Sequence, residues 1–427
     1  MENVTKIALL GLGTVGGGVY KVIRMQAEEM ERKLGTTVEI KRVLVRNIEK
    51  AKAKVEDASI LTNDIEEIIQ DHEIRIVVEV MGGIEPAKSY ILKALQAGKH
   101  VVTANKDLLA QEGHLLMDTA AENHCDLLYE AAVAGGIPII GPLKQSLTGN
   151  HITEVMGIVN GTTNFILTKM TQDGMEFSDA LKLAQDLGYA ESDPTADVEG
   201  LDAGRKMAIL ACVAFNSRVT FADVHTEGIT KISARDIRYA RDMGHVIKLL
   251  GVARNTEKGV EVMVHPMLIA QDHPLASVND SYNAVFVRGD AVQDTMFYGR
   301  GAGELPTASA VVGDIFEIIR NMAFGCCGRI GCTCYKELPI VPVEETYSKY
   351  FIRIRVEDRT GVLASIAAVF GNNSVSLEQV MQRRRKEDCA ELVLITAAVK
   401  ERHLRDALTI LEGMSIVREI SSVIRVD

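Results

Sequence analysis

The chain has 427 residues, 47% hydrophobic and 25% charged, with a formal net charge of −11 at pH 7. This composition is typical of a folded protein with two or three domains and excludes a disordered chain. The acidic balance argues against nucleic acid as a partner, and the lack of an apolar run of about 18 residues argues against a membrane span. Seven cysteines without a secretory signal favour reduced thiols and a cytoplasmic location.

The first 140 residues alternate short apolar runs with segments of helical periodicity. TKIALLG, VEIKRVLVR, IRIVVEVMG and HVVTANK are predicted strands. Alternating strands and helices imply right-handed crossovers and a parallel sheet. The sequence therefore predicts an α/β, doubly wound Rossmann domain over residues 1–140, with a helix at 305–323 packing back on it.

Residues 141–325 have a different, α+β pattern with a mostly antiparallel sheet. HITEVMGIVNGTTNFIL and VEVMVHPMLI are predicted strands, and helices are predicted at 178–187, 201–215 and 233–250. Residues 326–348 lack periodicity and are predicted to be a linker.

The linker contains four clustered cysteines, namely Cys326, Cys327, Cys332 and Cys334. A metal or redox site is one interpretation, but the spacing fits no zinc pattern with a second ligand pair. The role of the cluster is therefore left open.

Residues 349–427 have the order strand, helix, strand, strand, helix, strand. This βαββαβ order is the split βαβ arrangement of a small ligand-sensing module.

Glycines after the first predicted strand form the pattern G-x-G-x-x-G at Gly11, Gly13 and Gly16. Between a strand and a helix, this pattern predicts a dinucleotide site, because the backbone approaches the pyrophosphate at a helix N-terminus. The second strand ends at Arg46, with Lys50 one turn later, and not at an acidic residue that would bind the ribose hydroxyls of NAD. We therefore expect NADP(H) to be preferred and NAD(H) to be possible, although Arg46 could also be simply solvated.

The stretch GYAESDPTADVEGLDAGRK, residues 188–206, places several carboxylates before a lysine and leads into the apolar run MAILACVAF. Asp202 and Lys206 are four residues apart and share one helix face. Since the helix beyond Lys206 is apolar all round, it is expected to be buried, and these charges would face a cleft. An ordinary surface ion pair is the alternative. Carboxylates in a cleft suit a substrate with an ammonium group. Lys206 could transfer a proton there, and Lys106, which lies at the end of a predicted sheet strand, is a second candidate.

Five motifs together closely resemble homoserine dehydrogenase: HVVTANK, YEAAVAGGIPII, GIVNGTTNFIL, GYAESDPTADVEGLDAGRK and GRGAGELPTASAVVGDI. The resemblance covers residues 1–340, and the segment from 350, with VEDRTGVLASIAAVF, resembles an ACT domain. It implies NAD(P)-linked interconversion of L-homoserine and L-aspartate 4-semialdehyde in threonine, methionine and isoleucine biosynthesis.

The resemblance also implies roles for individual residues. Lys206 would donate the proton in the reducing direction, with Lys106 assisting and touching the cofactor. Homoserine would be bound by Glu191 and Asp202, with Asp197 nearby. The cofactor would contact Gly11, Leu12, Gly13, Thr14, Val15, Gly16, Arg46, Lys106, Gly188 and Gly303.

Three further features follow from the resemblance. A monovalent cation, usually sodium, would be bound partly by main-chain oxygens at Glu130, Val133, Gly135 and Ile137. The second domain would form a homodimer, and the tail could extend it to a homotetramer. An allosteric amino acid, expected to be L-threonine, would bind the ACT domain near residues 358–364. Competing binding of threonine in the homoserine pocket is the alternative.

Two other functions are weighed against this one. The first is another NADP-dependent dehydrogenase that acts on an amino-acid aldehyde or imine. The second is a sensor that binds dinucleotide and amino acid without chemistry.

Overall fold

The structure, a computed structural model, describes residues 4–384 and 389–427. The chain divides into two compact units. The first contains the chain up to Val155, Arg205–Val224 and Asn283–Leu338. The second contains Met156–Gly204, His225–Tyr282 and Pro339–Asp427. Among the described residues, no helix combines the length and the apolar character needed to cross a bilayer.

The first unit begins with a six-stranded parallel sheet. Its strands are β1 (Val4–Leu10), β2 (Thr37–Leu44), β3 (Leu61–Thr62), β4 (Ile74–Glu79), β5 (His100–Thr103) and β6 (Leu127–Leu128). Its helices are α1 (Thr14–Met25), α2 (Ala27–Leu34), α3 (Ile48–Ala51), α4 (Glu66–Ile69), α5 (Ala87–Gln96) and α6 (Lys106–Glu122). The strands lie in the order β3-β2-β1-β4-β5-β6, and β1 and β4 are parallel neighbours. From β1 the chain first adds strands toward one edge of the sheet and then, from β4, toward the other edge, which confirms the predicted doubly wound sheet. Ligands of such sheets bind at this switch point, beyond the carboxyl ends of the strands.

The next part of the chain contains nine elements: β7 (Ile152–Ile158), α7 (Gly161–Gln172), α8 (Phe177–Asp186), α9 (Thr195–Val198), α10 (Leu201–Phe215), β8 (His225–Thr226), α11 (Ala234–Asp242), β9 (His245–Thr256) and β10 (Gly259–Ala270). The prediction of a strand through residue 167 was wrong, because the Asn160 side chain accepts a hydrogen bond from the Thr163 N–H and starts α7. The prediction of a helix over 233–250 was also wrong. The chain turns at Gly244, whose φ is +74°, and continues as β9.

The chain then returns to the first unit through β11 (Tyr282–Gly289), β12 (Gln293–Arg300) and α12 (Glu304–Phe324). Apolar residues of α12, such as Val311 and Ile315, share one buried cluster with Val19 and Ile23 of α1. The two helices approach closely at Gly18, where a Cβ atom would lie 2.6 Å from the Glu304 carbonyl oxygen. The C-terminal helix of this unit thus packs against the helix that follows β1.

The last part of the chain consists of β13 (Tyr347–Glu357), α13 (Val362–Asn372), β14 (Leu377–Arg384), β15 (Cys389–Thr396), the two-residue β16 (Val399–Lys400), α14 (Glu401–Glu412) and β17 (Val417–Val426). Apart from β16, this is the predicted βαββαβ order. The strands β13, β14, β15 and β17 form an antiparallel sheet whose inner face packs on α13 and α14.

This module is joined edge to edge to the rest of the second unit, where β17 pairs in parallel with β10. The strands β9-β10-β17-β13-β15-β14 are neighbours in that order. A buried charge network reinforces the junction, because Arg353 of β13 donates to Asp236 of α11 at 2.8 Å and to Glu391 of β15 at 3.2 Å. The hydroxyl of Tyr239 completes it by donating to Glu391 at 2.6 Å. A buried guanidinium is tolerated because two carboxylates neutralise it.

Candidate active site

The glycine loop lines a cleft at the switch point of the parallel sheet. The loop comes close to itself at Gly16, where a Cβ atom would lie 2.2 Å from the Gly11 carbonyl oxygen. At Gly13, in contrast, a Cβ atom would meet nothing within 4 Å, so the loop backbone is open to the cleft. Thr14 and Val15 begin α1 directly after Gly13, and the first N–H groups of a helix favour an anion such as pyrophosphate. The cleft volume of about 770 Å³ is sufficient for a nucleotide.

Three cationic side chains line the side of the cleft that faces the second strand. Arg46, Lys50 and Lys54 follow β2 within nine residues of one another, and all three border the cleft. The ammonium group of Lys54 donates to the Leu12 carbonyl at 3.0 Å, which connects this segment to the glycine loop. The arrangement provides a cationic environment suited to a phosphate. Lys54 was not among the residues predicted from the sequence.

Lys106 begins α6 at the carboxyl end of β5, on the same sheet edge as the glycine loop. A series of hydrogen bonds fixes the connection between β5 and α6. Thr103 donates to the Glu79 carboxylate at 2.6 Å and accepts from the Asn105 N–H at 3.0 Å. Asn105 in turn caps α6 and donates to the Gly83 carbonyl at 2.6 Å. Lys106 is thereby fixed at the start of its helix.

Helix α10 provides the second predicted lysine. Asp202 and Lys206, in its first two turns, are only 6% and 9% exposed, and most of the helix beyond them is buried. This agrees with the expected buried helix and not with an exposed surface pair. Arg205 forms an ion pair with Asp107, with Nε and Oδ1 separated by 2.8 Å. Because Asp107 follows Lys106, this pair joins the segments that carry the two lysines.

Two of the predicted carboxylates are brought together in the second unit by a residue that sequence reasoning did not select. The Asn160 side-chain nitrogen donates to Asp197 at 2.7 Å and to Asp202 at 2.8 Å. Asn160 is only 5% exposed, and its oxygen caps α7. The side-chain amide therefore fixes both acids and the start of a helix at once. The partners are 37 and 42 residues away along the chain, so no local pattern reveals the contact.

The other predicted residues of the second unit lie on the segment before α9. Glu191 is exposed, and its carbonyl accepts from the Gln185 side chain at 3.1 Å. Gly188 has a φ of +77° and ends the turn after α8. In the first unit, Gly303 precedes α12 with a φ of +121°.

The predicted cation ligands lie in one tight turn of the first unit. Ala134 and Gly135 both have left-handed φ values, of +56° and +54°, which bend the main chain sharply between Val133 and Ile137. The Glu130 carboxylate accepts the N–H groups of residues 139–141 at 2.6–2.8 Å. Asp314 accepts the Glu130 N–H at 2.9 Å, and burial, with Glu130 nearby, raises the pKa of Asp314 well above its usual range. Two acids and a bent main chain rich in carbonyl oxygens are compatible with a hard cation.

The clustered cysteines belong to two separate groups. Cys327 lies beside His100 and Asp126, with one candidate ligand atom of each within 4.8 Å of the others. The His100 Nδ1 already accepts the Asp126 N–H at 3.0 Å, so the proton of the neutral ring is on Nε2. The Asp126 carboxylate accepts from the Asn321 side chain and the Gly328 N–H. These contacts favour a hydrogen-bonded anchor for the segment over a metal site.

The second group joins Cys334 to Cys212 of α10, with their Sγ atoms 2.8 Å apart. The N–H of Cys334 also points to the sulfur of Cys332 at 3.5 Å. All seven cysteines are free thiols. This part of the predicted linker therefore contacts the helix that carries Lys206.

Comparison with known proteins places these features in a family. The family model described as homoserine dehydrogenase matches residues 138–316, its NAD-binding domain matches 11–130, and the ACT domain matches 350–414. A homoserine dehydrogenase of Bacillus subtilis is 43% identical over 424 residues, covering 99% of this chain and 98% of the relative.

Two solved structures extend the comparison. The crystal structure of a homoserine dehydrogenase from Thiobacillus denitrificans has a TM-score of 0.95 and 41% identity, covering 100% of this chain and 99% of that one. A hyperthermophilic archaeal homoserine dehydrogenase in complex with NADPH has a TM-score of 0.64 and 27% identity, covering 74% of this chain and 98% of that one.

These features define a nicotinamide-dependent oxidoreductase with a regulatory domain, because the chain combines a Rossmann cleft, a unit that carries Asp197 and Asp202, and an ACT module. The chain belongs to the homoserine dehydrogenase family. Its reaction is the NAD(P)-dependent interconversion of L-homoserine and L-aspartate 4-semialdehyde, a step of amino-acid biosynthesis. The matches give no support to the other aldehyde or imine dehydrogenase or to the non-catalytic sensor.

Proposed function

We propose that the start of α10 is the catalytic element of this homoserine dehydrogenase. Asp202, with Asp197 and Glu191, binds the ammonium group of homoserine, and Lys206 transfers the proton of its hydroxyl, assisted by Lys106. The observation that carries this proposal is the burial of Asp202 and Lys206 four residues apart on one helix. A carboxylate at such a site can bind the ammonium group of a substrate through charge-assisted hydrogen bonds.

The proposed chemistry balances with one hydride and one proton. A nicotinamide bound in the cleft would supply the hydride acceptor for the carbon that bears the hydroxyl group. In the oxidising direction the side-chain nitrogen of Lys206 takes up the hydroxyl proton, and the C–O bond becomes a carbonyl. In the reducing direction the Lys206 ammonium group returns the proton to the oxygen. The carboxylates keep the reacting carbon in place by fixing the amino group at the other end of the substrate.

The substrate role of Asp202 is tested by steady-state kinetics of Asp202→Asn. Loss of one charge-assisted contact is expected to raise KM for homoserine about 10-fold or more and to leave KM for NADP+ unchanged. Asp186→Asn is the matched control, since Asp186 is an exposed acid paired with Lys182. An equal rise of both KM values in Asp202→Asn would contradict the assignment.

We propose that NADP(H) is the preferred cofactor and that NAD(H) is also used. Arg46, Lys50 and Lys54 support this preference, since they border the cleft where the ribose phosphate of NADP would lie. Leu12 and the glycine loop would hold the pyrophosphate, and Gly188 and Gly303 would lie toward the nicotinamide. The NADPH complex of the archaeal relative is consistent with the same choice.

We propose that a sodium ion binds main-chain oxygens of Glu130, Val133, Gly135 and Ile137. The left-handed turn at 134–135 and the nearby acids Glu130 and Asp314 support this site. Its role would be structural, because the turn packs against Gly301, whose carbonyl oxygen would lie 2.4 Å from a Cβ atom at Gly135.

We propose that the ACT module binds an inhibitory amino acid, L-threonine in the first instance. A cleft of about 480 Å³ lies at the start of α13, bordered by Arg359, Gly361, Leu363 and Gln382. A cavity of this size accommodates one amino acid, and the N-terminus of α13 suits its carboxylate. Leu363→Glu should abolish inhibition by threonine without changing uninhibited turnover. Inhibition that survives in this variant would place the effector elsewhere.

We propose that the chain forms a homodimer or homotetramer in the cytoplasm. The edge strand β12 supports an assembly, since its apolar side chains Met296 and Tyr298 are 39% and 54% exposed. The seven free thiols are consistent with a reducing compartment. Light scattering with size-exclusion chromatography would measure the subunit number.

A further inference from the structure

A contact between the ACT module and the substrate-binding segment runs through Glu227. This residue follows β8, and its N–H donates to the Val264 carbonyl of β10 at 2.7 Å. Its carboxylate accepts from Arg425 of β17 at 2.6 Å and lies 2.8 Å from the His225 ring nitrogen. The side chain is therefore anchored from the ACT module, whereas its main chain belongs to the substrate-binding part of the unit.

On the ACT side, Arg425 of β17 is 3% exposed and contacts residues of α14 and β13. It donates to Glu401 of α14 at 2.9 Å, and its guanidinium lies 5.7 Å from the ring centre of Tyr350 on β13. The Tyr350 hydroxyl also donates to Glu401. Only the Arg425 end of its ion pair with Glu227 is buried, since the Glu227 side chain is 40% exposed. A movement of β17 therefore either carries Glu227 with it or breaks this ion pair and leaves Arg425 paired with Glu401.

The charge of Glu227 is firmly held. Burial alone would raise the pKa of Glu227, but the hydrogen bond with His225 and the charge of Arg425 outweigh burial and lower the pKa to about 2. The carboxylate is thus ionised at every pH at which the enzyme would be assayed.

On the substrate side, the residues after Glu227 are tightly fitted against the segment that leads into α10. At Gly228 a Cβ atom would lie 2.1 Å from the Val198 carbonyl oxygen and 2.5 Å from the Glu199 Cα, so no side chain fits there. The Ile229 N–H donates to the same Val198 carbonyl at 2.8 Å. Residues 198–200 lie between Asp197 and Asp202, the two acids that Asn160 holds.

We infer that Glu227 is a positioning residue that couples the ACT module to the substrate carboxylates. Arg425 holds Glu227, Glu227 sets the position of residues 228–229, and these set residues 198–200 and with them Asp197 and Asp202. An effector that displaces β17 would thus reach the homoserine-binding acids through one ion pair and one close main-chain contact. This inference depends on the proposed role of Asp202 in binding homoserine.

The test is steady-state kinetics of Glu227→Gln, which keeps the size of the side chain and removes its charge. KM for homoserine should rise about 5- to 10-fold, with kcat changed less than about 2-fold and KM for NADP+ unchanged. The concentration of L-threonine that halves the activity should rise as well. Glu419→Gln is the matched control, because Glu419 pairs with Arg355 on the exposed face of the same module. It should alter none of these values.

A second variant tests the same contact in case Glu227→Gln does not fold. Arg425→Lys keeps the charge and alters the contact from the ACT side, and it should raise the same KM, whereas Arg355→Lys should not. Unchanged KM for homoserine in folded Glu227→Gln and Arg425→Lys would overturn the inference. If Asp202→Asn raises KM and these two do not, the coupling alone is wrong. If Asp202→Asn also leaves KM unchanged, the proposed substrate site is wrong.

Discussion

The side-chain nitrogen of Asn160 donates to the carboxylate of Asp202 at a distance of 2.8 Å. Both residues are buried, although Asn160 precedes α7 and Asp202 lies in the first turn of α10. The same nitrogen also donates to Asp197, so one amide keeps two negative groups in place. An amide is suited to this task, because it donates without adding a charge that would compete with the ammonium group of the substrate.

Asn160→Asp tests this arrangement. The new carboxylate still accepts the Thr163 N–H and caps α7, but it donates to neither acid and adds a third negative charge. We expect KM for homoserine to rise about 10-fold or more because the acids are displaced, while NADP+ binding is retained. Steady-state kinetics and dinucleotide fluorescence titration measure the two effects. Asn373→Ala is the control, since the Asn373 side chain donates to the Val369 carbonyl at the end of α13. Equal behaviour of both variants would contradict the role of Asn160.

Cofactor choice is expected to depend on the cationic side of the dinucleotide cleft. Arg46→Ala should lower kcat/KM for NADP+ by about 10- to 100-fold and leave kcat/KM for NAD+ nearly unchanged, because only NADP+ has the extra phosphate. Lys33→Ala, at an exposed lysine of α2, should change neither value. Equal losses with both cofactors would show that Arg46 acts on the fold and not on the phosphate.

Stability is expected to fall with acid partly through His265 of β10. Its Nδ1 donates to the Pro266 carbonyl at 3.0 Å, and burial, with the nearby Arg425, lowers the pKa of His265 to about 3. The folded state therefore leaves the ring neutral, whereas the unfolded chain protonates it below about pH 6.5. His265 therefore does not lower the free energy of unfolding above about pH 6.5. As the pH falls from about 6.5 toward 3, proton binding by the unfolded chain lowers the free energy of unfolding.

His265→Gln removes this titration. Between pH 7 and pH 5 the natural chain should lose about 2 kcal/mol more unfolding free energy than the variant, measured in urea. The acids common to both proteins cancel in this difference. His72, an exposed histidine, is the control, and His72→Gln should retain the full pH dependence. Identical pH dependence in His265→Gln and the natural chain would contradict the pKa assignment.

Local patterns in the sequence were sufficient to predict the Rossmann sheet, the glycine loop, the buried α10 and the order of the ACT elements. They were insufficient where distant contacts decide the structure. The β-branched and aromatic residues of GTTNFIL favoured a strand, but the cap at Asn160 starts α7, and an asparagine before a helix was the signal that could have revealed it. Gly244 was the corresponding signal for the end of α11.

The site itself could be predicted only in part. Asp202 and Lys206 are recognisable because their four-residue spacing precedes an apolar helix. Asn160 and Glu227 contact residues far away in the chain, and neither has a local pattern that distinguishes it from an ordinary polar residue. Main-chain oxygens in the turn 130–137 have no residue-type signature at all.

The most direct test of the central claim is the turnover of Lys206→Ala with homoserine and NADP+. We expect kcat to fall by about 10²–10⁴-fold, the usual effect of losing a positioned acid or base, while NADP+ still binds. Lys182→Ala, at an exposed lysine, should have the turnover of the natural enzyme. If folded Lys206→Ala keeps its full kcat, the buried lysine of α10 does not transfer the proton and the proposed mechanism is wrong.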